Sequence, residues 1–123
     1  MPKTILIVDD EEMVVDMARR KLVQEGYLAI GAGNGEEALK VLGDGLVDLI
    51  ILDVEMPKMN GYMFLTELKN IPGAENIPVI MLTAYDAMEP IFRRHNAADY
   101  LTKPVRFQEL MTRIHRVLGL AGC

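Results

Sequence analysis

The stretch "DLIILDVEMPKMNG", Asp48 to Gly61, decides the fold, because an apolar run of Leu49, Ile50, Ile51 and Leu52 ends abruptly on a carboxylate, Asp53. A continuous apolar run without alternation describes a strand buried on both faces, the pattern of a parallel sheet covered by helices. Asp is also a common turn residue, so Asp53 alone could mark nothing more than the place where a strand surfaces. Its neighbours along the chain decide between the two.

Working outward, "LVDLIILD" from Leu46 to Asp53 is the third of five such segments. "TILIV" (Thr4 to Val8) and "YLAIGAG" (Tyr27 to Gly33) precede it, and "IPVIMLT" (Ile77 to Thr83) and "ADYLT" (Ala98 to Thr102) follow. Between them lie helical patterns. From Glu11 to Glu25, Val14, Val15, Ala18, Leu22 and Val23 recur at helical spacing, with Gly26 placed to end the helix in a left-handed turn. Met13 and Met17 share that spacing and suit adaptable core packing. Asn34 opens "NGEEALKVL" as an N-cap, with Glu37 three residues on as in a capping box. Tyr62 to Asn70, Asp86 to His95 and Val105 to Leu118 complete the five expected helices. Strict alternation of buried strands with helices argues for an α/β fold, a doubly wound parallel sheet with right-handed crossovers.

Composition fits one such domain. The chain has 123 residues, 50% hydrophobic and 25% charged, with a formal net charge of -5. That balance argues against an electrostatic hold on nucleic acid or on an anionic membrane surface. Its one cysteine, Cys123, has no internal partner for a disulfide, which accords with a reducing compartment, and the cytoplasm is the expected location. The apolar run Ile5 to Val8 is cut short by Asp9 and Asp10, the pattern neither of a signal peptide nor of a membrane span. No repeat or linker interrupts the pattern, so residues 1 to 123 are expected to form a single domain.

In open parallel sheets ligands bind outside the carboxyl ends of the strands, where strand order reverses. The first strand ends on Asp9 and Asp10, the third on Asp53, the fourth on Thr83, and the fifth runs to Lys103 and Pro104. Carboxylates gathered this closely raise one another's pKa unless a cation joins them. An all-oxygen donor set with no nearby His or Cys suits a hard ion, and Mg²⁺ better than a calcium cage. With such charge neutralisation a carboxylate can act as nucleophile in phosphoryl transfer, with Lys103 and Thr83 contacting phosphoryl oxygens. Singly, each residue has a plainer reading: Asp9, Asp10 and Thr83 as helix caps, Lys103 as a solvated charge, Tyr100 as core or rim. Their joint placement at the ends of four strands is what the plainer readings leave unaccounted for. His95 and His115 lack metal-ligand spacing and read as solvated.

The segments "ILIVDDEE", "DLIILDVEMPKMNGY", "IPVIMLTA" and "DYLTKP" resemble, in order and over essentially the whole chain, the signature segments of response-regulator receiver domains, the CheY-like superfamily of two-component signalling. The resemblance implies a flavodoxin-like, five-stranded sheet of order 2-1-3-4-5 flanked by five helices. It implies that Asp53 is the phosphorylated residue, that Asp10 and Asp53 bind Mg²⁺ directly and Asp9 through water, and that the Glu55 backbone carbonyl completes the metal ligands. Thr83 and Tyr100 would be the switch pair, and Lys103 would contact the phosphoryl group beside Pro104, whose preceding peptide bond is often cis in the family. The implied donor is a sensor histidine kinase or a histidine phosphotransfer protein, and the downstream protein target is unspecified. No enzymatic activity is expected beyond promoting the domain's own phosphorylation and dephosphorylation.

The resemblance has departures. The interval from Thr83 to Lys103 is slightly shorter than usual, and Asn96 stands where a Gly often ends the fourth helix, so the fourth helix is expected to be short or displaced. Glu55 and Tyr85 lie two places after Asp53 and Thr83, positions that the resemblance sets beside the route of the hydrolytic water, and Tyr85 is expected by its size to slow loss of the phosphoryl group. Three rival readings share parts of this pattern. A nucleotide or flavin site needs a phosphate-cradling loop after the first strand, but "DDEE" repels an anion. A haloacid-dehalogenase-like phosphatase usually carries a second Asp two places after its nucleophile, and neither Asp9 nor Asp53 has one. A phosphorylation-independent interaction module of the same fold is the remaining alternative.

Overall fold

Each strand of the sheet sends successive side chains to opposite faces, and both faces of the central strands are covered, which is why those strands read as unbroken apolar runs. The computed structural model describes residues 2–45, 47–56, 59–84 and 97–119. Its strands are β1 (Thr4–Val8), β2 (Leu28–Ala32), β3 (Leu49–Asp53), β4 (Val79–Thr83) and β5 (Asp99–Thr102). The helices among the described residues are α1 (Glu12–Gln24), α2 (Gly35–Asp44), α3 (Gly61–Leu68) and α4 (Phe107–Leu118). The helix expected over Asp86 to His95 lies outside the described residues, as do Tyr85, Asn96 and Cys123.

All pairings are parallel and the strand order is β2-β1-β3-β4-β5. This is the doubly wound order expected. The order reverses around β1 and β3, so the carboxyl ends of these two neighbouring strands form the switch point where ligands bind in such sheets.

Two apolar layers hold the sheet. On one face Leu6, Val8, Ile50, Leu52, Val79 and Met81 pack with Ala38 and Leu42 of α2 and with Phe64, Leu65 and Leu68 of α3. On the other, Ile5, Ile7, Leu49, Ile51, Ile80 and Leu101 pack with Leu22 of α1 and with Leu110, Met111 and Ile114 of α4. Every residue of β3 is buried, Asp53 included. Burying one such Leu or Ile side chain stabilises the fold by roughly 1.5–3 kcal/mol, so the central strands fix the frame on which the rim residues stand.

Local signals set the element ends. Asn34 accepts the Glu37 N–H at 2.9 Å, capping α2, while the Glu37 carboxylate reaches back to the Gly33 N–H at 2.8 Å. That reciprocal bond lands one residue earlier than in a standard capping box. Gly26 has φ +96°, the left-handed turn expected past the end of α1. Helix α1 crosses β2 so closely that a Cβ at Gly31 would collide with Val15. The peptide bond between Lys103 and Pro104 is cis, as the resemblance implied.

Two sequence expectations are corrected. Met13 and Met17 are 81% and 57% exposed and do not pack in the core. Helix α1 lies over the edge strand β2, where only the narrow stripe of Val15, Ala18 and Leu22 is covered, leaving Val14 and Val23 exposed as well. His115 is not freely solvated, for its ring is half-buried and stacks on Tyr27 with centroids 6.2 Å apart.

Candidate functional site

Parallel strands running in register bring their last residues to one rim. Asp9 follows β1, and its Oδ1 accepts the Glu11 N–H at 2.9 Å, which turns the chain into α1. Helix α1 has no side-chain N-cap, so neither Asp9 nor Asp10 acts as one. Asp53 closes β3, and one oxygen each of Asp9, Asp10 and Asp53 lie within 4.8 Å of one another. Asp9 and Asp53 are 4% and 2% exposed, while Asp10 faces solvent. Two buried carboxylates and one open one thus share a small all-oxygen cluster, a donor set that fits a hard divalent cation with room for water.

The electrostatics are those of an incompletely neutralised anionic pocket. Burial is the main cause that raises the Asp9 pKa to about 6, opposed by the Glu11 N–H and reinforced by the Asp53 charge. Burial likewise pushes the Asp53 carboxyl above its ordinary value, although the Lys103 ammonium pulls the other way. Lys103 Nζ donates to Asp53 Oδ1 at 2.6 Å, and the Glu55 N–H donates to the same oxygen at 3.2 Å. Burial alone would lower the Lys103 pKa, but its bond to Asp53 and the surrounding carboxylates raise it, so the ammonium stays charged. Among the described residues Lys103 is the cation that faces the carboxylates of Asp9, Asp10, Asp53 and Glu55, a net negative cluster that favours a metal ion.

Thr83 ends β4, fully buried, and pairs with Thr102 across the β4–β5 ladder. Its hydroxyl donates to Glu55 Oε2 at 2.8 Å, and the Ala84 N–H donates to Glu55 Oε1 at 2.6 Å. Tyr100 on β5 pairs with Met81 of β4 and is half-buried against the apolar layer that holds Val54, Phe64 and Met81. Burial raises its phenol pKa, which keeps it a neutral hydrogen-bonding group.

The family model described as "Response regulator receiver domain" matches residues 5–115 of this chain. The chain belongs to the response regulator receiver domain family. Among curated relatives of this receiver domain, a probable transcriptional regulator, ycf27 of Cyanidium caldarium, is 41% identical over 116 residues, which are 93% of this chain and 45% of that protein. The chain therefore spans less than half of that relative. Among solved structures, the Vibrio cholerae chemotaxis protein CheY4 superposes with a TM-score of 0.88 at 29% identity, covering 95% of this chain and 99% of that one. The response regulator TrrA of Thermotoga maritima, solved in complex with Mg(2+)-BeF, gives 0.81 at 35% identity, covering 94% and 98%.

The receiver domain brings Asp9, Asp10 and Asp53 into one cluster, with Lys103 and the Glu55 N–H bonded to Asp53 and Thr83 bonded to the Glu55 side chain, while Tyr100 packs apart from it in the apolar layer. Sequence reading set Glu55 beside the site by its place two residues after Asp53, but missed two contacts to its side chain, from the Thr83 hydroxyl and from the Ala84 N–H. Their signal is the β3–β4 register, in which Asp53 pairs with Leu82. Continued by two residues, that register sets Glu55 beside Ala84, but it is invisible until the strands are aligned. Among the described residues no helix is long and apolar enough to cross a membrane.

Proposed function

We propose that this receiver domain accepts a phosphoryl group on Asp53 in a Mg²⁺-dependent reaction and changes its surface to signal to a partner protein. The observation that carries the reading is the pairing of a buried carboxylate with an ammonium at 2.6 Å, beside two further carboxylates. A buried ion pair is weak evidence for stability alone, and a buried net-negative cluster at a switch point is an arrangement that stability does not call for.

Asp9, Asp10, Asp53 and the Glu55 carbonyl would hold the Mg²⁺, whose charge, when it is bound, offsets the negative charge of the incoming group. Asp53 then forms a P–O bond as the donor's P–N bond to a phosphohistidine breaks, its electron pair remaining on the imidazole nitrogen. Lys103 releases Asp53 to the phosphorus and neutralises one phosphoryl oxygen, while the Thr83 hydroxyl donates to another. The donor is a histidine kinase or a histidine phosphotransfer protein, and the setting is the cytoplasm. The domain's own chemistry is confined to gaining and losing this group.

Phosphorylation biases a two-state ensemble. Drawing Thr83 toward the phosphoryl group alters the carboxyl end of β4, against which Tyr100 packs one ladder away, so the change reaches the β5 surface. Binding of beryllofluoride with Mg²⁺, followed by backbone NMR, tests the reading. Shifts concentrated at the carboxyl ends of β3, β4 and β5, and absent without Mg²⁺, are expected. A spectrum unchanged at saturating beryllofluoride and Mg²⁺ would favour a phosphorylation-independent interaction module.

A further inference from the structure

Three donors face the space beside Asp53: the Thr83 hydroxyl, the Ala84 N–H and the Lys103 ammonium. In the unmodified chain one side chain already accepts from the first two and lies near the third, which itself donates to Asp53. Glu55 accepts from Thr83 at 2.8 Å through Oε2 and from Ala84 at 2.6 Å through Oε1, and Oε1 lies 4.0 Å from Lys103 Nζ. A phosphoryl group on Asp53 would present anionic oxygens that need the same kind of partners. Glu55 is therefore placed as an internal carboxylate substitute for the modification.

We infer that the Glu55 side chain occupies the phosphoryl-oxygen acceptor positions of the unmodified domain and must swing out before Asp53 can be phosphorylated, so that its reach sets the phosphorylation rate. This rests on the phosphoacceptor reading of Asp53. The placement follows from the fold. Glu55 lies two residues beyond Asp53, and the β3–β4 register brings it alongside Ala84. The Glu side chain is long enough to span from the Thr83 hydroxyl to the Ala84 amide. Asp is one methylene shorter and keeps the charge without that span. Two costs oppose an incoming phosphodonor: the loss of two hydrogen bonds to a carboxylate, and repulsion between that carboxylate and the donor's oxygens. The first depends on reach and the second on charge, so the two are separable.

The test compares the parent with Glu55→Asp and Glu55→Ala. Phosphorylation by acetyl phosphate with Mg²⁺ is followed by intact mass, and the Ala84 amide is followed by NMR in the unmodified proteins. A strongly downfield Ala84 amide is expected in the parent, shifted upfield in both variants. Both variants should be phosphorylated faster, on the order of tenfold, the factor that losing one charge-assisted hydrogen bond brings. A rate for Glu55→Asp equal to the parent's, with only Glu55→Ala faster, would reduce the effect to charge and overturn the inference. So would an Ala84 amide that neither variant moves, or equal rates in all three proteins. If none of the three takes up a phosphoryl group, the phosphoacceptor reading itself fails, and the rate-setting role fails with it.

Discussion

Asp9 is where the site's chemistry meets stability most directly. Its pKa of about 6 lies above the ordinary 3.8, chiefly through burial, so the native state holds this proton more tightly than the unfolded chain does. Its contribution to stability is therefore fully present below pH 3.8 and is lost as pH rises through 6. The shift corresponds to about 3 kcal/mol at neutral pH. Asn keeps the acceptor for the Glu11 N–H without the charge. In urea unfolding of the metal-free protein at pH 7.5, Asp9→Asn should be more stable than the parent by about 1–3 kcal/mol, and the gain should vanish near pH 4. A gain that is the same at both pH values would contradict this account of the shift. Mg²⁺ competes with the same protons, so its stabilisation of the parent should be large at pH 7.5 and fall away below pH 6. The residue scale also marks a limit of sequence reading. Asp53 and Lys103 could be brought together from their places at strand ends, whereas the direction of the Glu55 side chain depends on a register that residue types do not encode.

Among the elements, β3 and α1 show why some patterns could be read and others could not. A strand buried on both faces has no choice of orientation, so the apolar run in "LVDLIILD" marked β3, which starts three residues later than that segment, and Leu52→Ala should cost about 3–5 kcal/mol in urea unfolding. Helix α1 carries apolar residues around more of its circumference than its site can cover. Both Met13–Met17 and Val15–Ala18–Leu22 fit a helical period, and only packing over the edge strand β2 selects the second set. Met17→Ala should accordingly change stability by less than about 0.5 kcal/mol. A loss comparable to that of Leu52→Ala would mean that α1 buries its other side. Asn34 was legible for a different reason, since its cap is a local bond within four residues, and Asn34→Ala should cost about 1 kcal/mol.

At the scale of the whole molecule, the alternation of five short apolar strands with helices was sufficient to specify a doubly wound sheet, because parallel strands need crossovers and both faces need cover. The strand order came from the resemblance, and the structure agrees with it. The proposed coupling of site to surface runs across that sheet, from Asp53 on β3 through Thr83 on β4 to Tyr100 on β5. Thr83→Ala should still accept the phosphoryl group, since Asp53 and Lys103 are untouched, yet give far smaller NMR shifts around Tyr100 than the parent. Shifts as large as the parent's would break the proposed path. The central claim, that Asp53 is a Mg²⁺-dependent phosphoacceptor, is tested most directly by intact mass after incubation with Mg²⁺ and a small-molecule phosphodonor, beside Asp53→Asn and a chelator control. The account predicts a gain of one phosphoryl group that both controls abolish; a folded parent that gains nothing from a proven donor, or an Asp53→Asn protein that gains as much, would contradict it.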